Sequence, residues 1–180
     1  MATDIRGTRC QRRSPSAHDD RQFGRQGASL GERCQKRGAQ NQAIGRSRGG
    51  RTTKIHALVD EDGRPHAFVL TGGQVADIKG AASLLAATAP SERLIGDKGY
   101  DADHLHLFLE GRGTTPIIPN KSNRKQLFPF DAELYRLRNV IERMFCRLKD
   151  FRAIATRYDK TARNFLAGLC LITALCYWLN

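Results

Sequence analysis

The chain has 180 residues, of which 40% are hydrophobic and 27% are charged, so it is long enough for one domain with a core. Its formal net charge of +12 predicts attraction to polyanions, and nucleic acid above all. The five cysteines contain no C-x-x-C pair and are odd in number, which argues against both a zinc ribbon and a disulfide framework.

The first 44 residues differ in composition from the rest of the chain. They are rich in Arg, Gln, Gly and Ser, contain few large apolar residues, and show neither helical nor strand periodicity. No apolar stretch typical of a secretory signal is found there. We therefore expect residues 1–44 to be a basic, disordered segment, residues 45–180 to be the folded domain, and the compartment to be reducing.

Regular patterns begin after residue 45. The stretches TKIHALVD and PHAFVL flank the turn signal EDGR and predict a β-hairpin in which Asp60 serves the turn. The later predicted elements are a helix at VADIKGAASLLAA with Asp77 as N-cap, a strand at ERLIGD ending at Asp97, a helix at DADHLHLFLEG, a strand at TTPIIP, a basic loop at NKSNRK, a long helix over 131–150 and a helix after RYDKT. This order indicates an α/β domain whose mixed sheet is covered by helices on both faces.

The last predicted helix contains the longest apolar run. Its uncharged stretch, residues 165–179, is shorter than the roughly 20 residues that a membrane span needs. We therefore predict a buried helix and no membrane partner.

The helix predicted over residues 131–150 has two different faces. At about 100° per residue, a sector about 60° wide contains Tyr135, Arg138, Glu142 and Lys149. An apolar stripe roughly a quarter-turn away contains Leu134, Leu137, Ile141, Met144 and Leu148. A solvated face with an Arg138–Glu142 pair, worth only ~0.3–0.5 kcal/mol, is the simpler interpretation. However, the adjacent apolar stripe would hold Glu142 at the edge of the sheet.

Asp97 supplies a second carboxylate. It stands at the C-terminal end of a predicted strand, where ligand and catalytic groups gather in open α/β sheets. Two carboxylates from separate elements, beside basic groups, suit a site for divalent metal ions that act on phosphodiesters. Asp97 and Glu142 are therefore candidate metal ligands.

The segment GRSRGG, residues 45–50, is rich in arginine and glycine. Arg46 and Arg48 can lie along a phosphate backbone, although such segments also form ordinary linkers, and we favour phosphate contact. No zinc site is predicted, because ligand partners at metal spacing are absent around His56, His66, His104 and His106.

The pattern Tyr135-x2-Arg138-x3-Glu142-x6-Lys149 resembles the Y-R-E-K signature of the DDE transposases of bacterial insertion sequences. The segments similar to the family-five group of these elements are IGDKGYDAD, GRSRGGRTTKIHALVD, TPIIPNKSNRK and RNVIERMFCRLKDFRAIATRYDKTARNF. The resemblance covers roughly residues 37 to 180.

This resemblance implies a ribonuclease H-like fold, dependence on Mg²⁺ or Mn²⁺, and DNA strand cleavage followed by transfer of a 3′-hydroxyl into target DNA. It implies that Asp97 is the second catalytic Asp and Glu142 the catalytic Glu. The residues that it implies to be DNA-contacting or transition-state neighbours are Tyr135, Arg138 and Lys149. The implied setting is the bacterial cytoplasm, in association with the nucleoid.

The chain departs from the family at the first catalytic Asp, which such enzymes carry on the first, central strand in a D-S/G-T-like motif. Asp19 and Asp20 lie at about the right distance before GRSRGG, but without a strand pattern, and Asp4 has no strand before it. We therefore expect a truncated or frame-shifted transposase that lacks the central strand. Activity would be reduced or absent unless Asp19, Asp20 or another chain supplies the carboxylate.

The alternative function is that of a non-enzymatic basic protein that binds nucleic acid. Such a protein would interfere with a full-length transposase through mixed assembly. The expected partners are DNA and, in an oligomer, either further copies of this chain or the full-length enzyme.

Overall fold

The computed structural model describes residues 3–11, 42–47 and 50–179. Its sheet is built around a long β-hairpin. The described strands are β1 (Thr3–Gln11), β2 (Gly45–Ser47), β3 (Gly50–Val59), β4 (Pro65–Gly72), β5 (Arg93–Ile95) and β6 (Thr115–Ile117). The described helices are α1 (Asp77–Ala86), a 3₁₀ helix (Lys98–Tyr100), α2 (Asp103–Gly111), α3 (Ala132–Arg136), α4 (Asn139–Lys149), α5 (Arg152–Ala155) and α6 (Ala162–Tyr177).

The predicted hairpin is confirmed as β3 and β4, which pair antiparallel with Ile55 opposite Leu70. Asp60 closes its turn, as expected. The Asp60 carboxylate accepts hydrogen bonds from the backbone N–H groups of Asp62 and Arg64 at 3.1 and 2.8 Å. Its other oxygen lies 3.1 Å from Nε2 of His66, so Asp60 has a structural role.

The central position of the sheet is filled by β1, which lies between β3 and β5. β1 runs parallel to β3 and antiparallel to β5, with Arg9 opposite both Val59 and Ile95. The prediction that the central strand is missing is therefore wrong, and β1 lies within the segment that we expected to be disordered. This strand was not predicted because its side-chain pattern does not alternate. β1 pairs through backbone groups with the open edges of β3 and β5, and such pairing does not depend on which side chains the strand carries.

Helices cover both faces of the mixed sheet, as predicted. On one face, β3 packs against α4, α5 and α6 through Ile55, Ala57, Val59, Ile141, Met144, Phe145, Leu148, Ile154, Phe165 and Leu169. On the other face, the sheet packs against α1, the 3₁₀ helix and α2 through Leu58, Ala81, Leu84, Leu85, Leu94, Tyr100, Leu105, Leu109 and Ile118. The alternation of side chains along β3 supplies apolar groups to both cores.

The single helix predicted over residues 131–150 is two helices, α3 and α4. At the junction, Leu137 and Arg138 keep helical angles but form tighter turns, in which the amide of Arg138 bonds to the carbonyl of Tyr135. The apolar stripe of α4 is buried as predicted at Ile141, Met144 and Leu148. Leu137 at the junction is 39% exposed, contrary to that prediction.

α6 is only partly the buried helix that we predicted. Phe165 and Leu169 face the core with no exposed surface, whereas Leu171 and Leu175 on the other side are 63% and 49% exposed. Over the described part of the chain, no helix has the length and apolar character required to cross a membrane.

A buried arginine fixes residues 42–43 to the start of β3. Arg157 is 4% exposed and donates to the Gln42 carbonyl at 2.6 Å and to the Thr53 hydroxyl. Its guanidinium also lies 4.8 Å from the centre of the Phe165 ring. Burial lowers the pKa of Arg157, so this network of neutral acceptors is needed to hold the charge.

Candidate active site

Asp97 lies at the carboxyl end of β5, two residues beyond the last paired residue. β5 and β6 are parallel neighbours, and the amide of Gly96 continues their pairing with a 3.1 Å hydrogen bond to the Ile117 carbonyl. A Cβ atom at Gly96 would lie 3.2 Å from Ile118, so glycine allows this close approach. The Asp97 carboxylate caps the 3₁₀ helix by accepting a 2.8 Å hydrogen bond from the amide of Lys98.

Glu142 lies on the exposed side of α4, beside the junction with α3. Its Oε1 atom is 2.5 Å from Nη2 of Arg138 in an i, i+4 ion pair, and the Glu142 side chain is 55% exposed. The same guanidinium lies 5.6 Å from the centre of the Tyr135 ring, which contacts Phe130 edge-on at 5.3 Å. The junction between the two helices therefore gathers an acid, a base and a phenol.

The phenol of Tyr135 is influenced electrostatically by both predicted carboxylates. Burial raises the pKa of Tyr135, Arg138 opposes this effect, and the negative charges of Asp97 and Glu142 raise the pKa further. Both carboxylates therefore lie within electrostatic range of one phenolic oxygen. The phenol stays protonated at neutral pH and can donate a hydrogen bond.

Arg138, Asp97 and Glu142 all act electrostatically on Tyr135, whereas Lys149 and Arg46 are not part of this group. Lys149 is the last residue of α4, about 10 Å along the helix from Glu142 at 1.5 Å per residue, and is exposed. Arg46 is exposed on β2, where it pairs with Arg51. Arg48, like Asp19 and Asp20, lies outside the described residues.

Asp4 lies on the central strand β1, where no strand was predicted from the sequence. Its register partner on β3 is Lys54. From the pairing of Arg9 with Ile95, Asp4 lies three residues, or about 10 Å, beyond the level of Asp97 at 3.3 Å per residue.

Few metal-binding side chains gather among the described residues. Within residues 42–47 and 50–179, no group of three or more His, Cys, Asp and Glu side chains is arranged to hold a metal ion. Asp97 and Glu142 both act electrostatically on the Tyr135 phenol, and carboxylate oxygens are the ligands that Mg²⁺ and Mn²⁺ favour. The two acids are therefore of the right type for a hard divalent cation, but the described residues do not form a complete ligand set.

Sequence analysis missed a second, buried carboxylate at Asp101. This side chain has no exposed surface and accepts from the amide of Lys121 at 2.7 Å and from Nη2 of Arg124 at 2.8 Å. His106 Nε2 lies 3.2 Å from Asp101 Oδ1, and the His106 ring stacks on Phe128 at 3.9 Å. Burial alone would raise the pKa of Asp101, but the hydrogen bonds from Arg124 and Lys121 outweigh it and lower the pKa.

A second missed pair is Lys54 with Asp77. The Lys54 ammonium donates to Asp77 at 3.0 Å and to the Val75 carbonyl at 2.8 Å, and both side chains are nearly buried. Asp77 therefore does not serve as the predicted N-cap, which is Ala76. A lysine within the apolar strand TKIHALV was the available signal, because a buried lysine needs a partner.

The chain was then compared with known proteins. A family model described as a transposase DDE domain matches residues 11–179. A protein of Brucella ovis, named as a transposase for insertion sequence element IS6501, is 38% identical over 131 residues, which span 72% of this chain and 99% of that protein. A protein of Burkholderia cepacia, named as a transposase for insertion sequence element IS402, is 30% identical over 137 residues, which span 70% of this chain and 63% of that protein. No solved structure matches the chain. The chain belongs to the DDE transposase family of insertion sequences.

Proposed function

We propose that residues 45–180, with β1 completing the sheet, form the ribonuclease H-like catalytic domain of an insertion-sequence transposase of the Y-R-E-K group. Asp97 and Glu142 are its metal ligands. The observation that supports this proposal is the position of Asp97 at the carboxyl end of β5, together with the pair of Glu142 and Arg138 beside Tyr135, whose phenol is influenced by both carboxylates. Glu142 is paired with Arg138 but is 55% exposed, so it stays accessible to a cation from solvent.

The side chains around the carboxylates have separate tasks. When bound there, Mg²⁺ or Mn²⁺ would supply activation of the attacking oxygen and stabilisation of the leaving oxygen of a phosphodiester. Arg138 holds Glu142 in place in the free protein, and its remaining N–H groups can bind a phosphate. The protonated Tyr135 donates to a second phosphate oxygen. Lys149, Arg46 and Arg48 extend the DNA contact away from this centre.

Activity of this chain alone should be low. The described residues contain no group of three or more potential metal ligands, and a two-metal site needs ligands shared between the ions. This shortage of metal ligands also favours the alternative function. In that function, the chain binds DNA and enters mixed oligomers with a complete transposase, but does not cleave DNA.

Binding of Mn²⁺, measured by electron paramagnetic resonance on the purified chain, tests the proposal. We expect Asp97→Asn and Glu142→Gln each to lower Mn²⁺ affinity at least about tenfold, or about 1.4 kcal/mol. Glu133→Gln is the matched control, because Glu133 is an exposed acid on α3 and its substitution removes the same charge. Affinities that are equal in all four proteins would refute the assignment of the metal ligands.

A plasmid that carries the ends of the insertion sequence separates the two functions. Weak nicking in Mn²⁺ that disappears in Glu142→Gln would support the enzyme. Binding of the plasmid without nicking, at every metal concentration, would favour the non-enzymatic alternative.

A further inference from the structure

The basic loop between β6 and α3 is held closed by its own side chains. We define the 120–128 loop as the residues from Asn120 to Phe128. Nδ2 of Asn120 donates to the Phe128 carbonyl at 3.0 Å, and Oδ1 of Asn120 accepts from the Phe128 amide at 3.0 Å. These reciprocal hydrogen bonds fasten the two ends of the loop together.

Asp101 fixes the middle of the same loop through its carboxylate and its backbone carbonyl. Its buried carboxylate receives the amide of Lys121 and the guanidinium of Arg124, and its backbone carbonyl accepts from Nζ of Lys121 at 2.6 Å. Arg124 also lies 4.5 Å from the centre of the Phe128 ring and bonds to Asp103 at 2.5 Å. The loop therefore has a fixed shape without any ligand, which reduces the ordering cost of binding.

The outer side of the loop presents donors that this network does not use. A cavity of about 520 Å³ is lined there by the exposed side chains of Lys125, Asn123, Gln126 and His104. Asp101 and Asp103 also line it, but both are paired with Arg124. Lys121 also lines the cavity, and its ammonium keeps donors beyond the one given to Asp101. Lysine, amide and imidazole donors are groups that bind phosphate oxygens in DNA complexes.

The loop leaves the same edge of the sheet as the carboxylate site. β5 and β6 are parallel neighbours, so the segments that follow them emerge together. Asp101 is separated from Asp97 by the 3₁₀ helix alone. A DNA strand that reaches Asp97 would therefore pass close to the 120–128 loop.

We propose that the 120–128 loop is a preformed binding site for the DNA phosphate backbone beside the reacting strand, with Lys125 as a contact residue and Asp101 as the positioning residue. The inference rests on the proposed function for the choice of DNA as ligand. It adds a contact surface outside the Y-R-E-K residues and assigns a role to the buried carboxylate.

The salt dependence of DNA binding tests the contact. A labelled duplex is titrated with the full chain in EDTA, and fluorescence anisotropy gives the observed affinity at several NaCl concentrations. We expect Lys125→Ala to reduce the slope of log affinity against log salt by about 0.9, the value for one lost phosphate contact. Lys79→Ala, an exposed lysine on α1, is the matched control and should leave the slope unchanged.

Asp101→Asn tests positioning, because electrostatics and geometry predict opposite signs. Removing a negative charge from a basic protein should strengthen DNA binding, whereas releasing the loop should weaken it. We expect weaker binding, together with faster trypsin cleavage within the 120–128 loop and a circular dichroism spectrum like that of the unchanged chain.

Equal salt slopes for Lys125→Ala and Lys79→Ala would overturn the loop inference and leave the proposed function standing. Tighter binding by a folded Asp101→Asn chain would overturn the positioning role. Failure of the unchanged chain to bind DNA at low salt would overturn both the inference and the proposed function. If Asp101→Asn does not fold, the Lys125 comparison still decides the contact.

Discussion

Asp97 and Asp101 are four residues apart in the sequence and occupy opposite environments. The Asp97 carboxylate is partly exposed and, among the described residues, caps a single backbone amide at 2.8 Å. The Asp101 carboxylate has no exposed surface and is held by Arg124, Lys121 and His106. Asp97 can therefore accept an additional ligand, whereas the oxygens of Asp101 are already bonded within the protein.

This contrast separates a group available for chemistry from a group committed to structure. A fully bonded, buried carboxylate cannot exchange its partners without a large cost in free energy, because His106 would lose its acceptor and Arg124 would keep only the exposed Asp103. A carboxylate with one backbone donor can accept a cation at little cost to the fold. The following predictions test how completely the two roles are separated.

The largest expected effect is the loss of stability in Asp101→Ala. Removing one partner of a buried ion pair costs up to about 3–5 kcal/mol, and Arg124 would keep only its ion pair with the exposed Asp103. Urea denaturation should show this decrease in the free energy of unfolding. Asp103→Ala is the control, because Asp103 binds the same guanidinium but is 74% exposed, and we expect less than about 1 kcal/mol. Equal losses in both variants would contradict the structural role of Asp101.

Metal binding should depend on Asp97 and not on Asp101, which is the reverse of the order expected for stability. Asp97→Asn should lower Mn²⁺ affinity at least about tenfold while the free energy of unfolding changes by less than about 0.5 kcal/mol, because asparagine caps a helix about as well as aspartate. Asp101→Asn, where it folds, should retain the Mn²⁺ affinity of the unchanged chain. Loss of Mn²⁺ binding in Asp101→Asn alone would mean that the roles of the two acids are exchanged.

Strand alternation and turn residues were enough to predict much of this fold. The hairpin, the strand before Asp97 and the helix after RYDKT all appear, because each has a strong local pattern. β1 could not be predicted this way, since TDIRGTRCQ lacks alternation and pairs through backbone groups with distant edges. Its position depends on β3 and β5, which are more than 40 residues away.

The candidate site shows the same limit. Helical spacing placed Arg138 and Glu142 together, and the structure forms that pair. Asp97 was predicted from its place at the end of a strand, but the sequence carried no sign that Asp101, four residues later, is buried. Only the loop that returns from β6 identifies Asp101 as the buried one, and local spacing does not reveal such a contact.

A smaller effect is expected from acid titration of the buried cluster. Burial lowers the pKa of His106 below its ordinary value of 6.5, and hydrogen bonds from Arg124 and Lys121 lower the pKa of Asp101 below 3.8. As pH falls, each group is protonated in the unfolded chain before it is protonated in the folded protein. Its contribution to the free energy of unfolding is therefore complete above the ordinary pKa and is lost as pH falls through the pKa of the folded state. His106 should therefore lose its contribution first, below pH 6.5, and Asp101 should follow below pH 3.8.

The free energy of unfolding as a function of pH measures this order. His106→Gln should remove the loss of stability that begins just below pH 6.5, whereas His104→Gln, at an exposed position on the same helix, should retain it. An unchanged pH profile in His106→Gln would show that the buried imidazole does not control the first stage.

The smallest expected effect is that of Tyr135→Phe, which tests whether the phenol takes part in the exposed site. The ring contact with Phe130 is kept, so the free energy of unfolding should change by less than about 0.5 kcal/mol. The phenol is protonated at neutral pH, and the loss of one hydrogen bond to phosphate should weaken DNA binding by about 1 kcal/mol, or roughly fivefold. Tyr158→Phe is the matched control, since Tyr158 is 61% exposed and lies outside the site. DNA affinity measured at constant salt should fall for Tyr135→Phe alone. An equal affinity for both variants would remove the phenol from the contact surface and leave Arg138 as the side chain that joins Glu142 to the DNA.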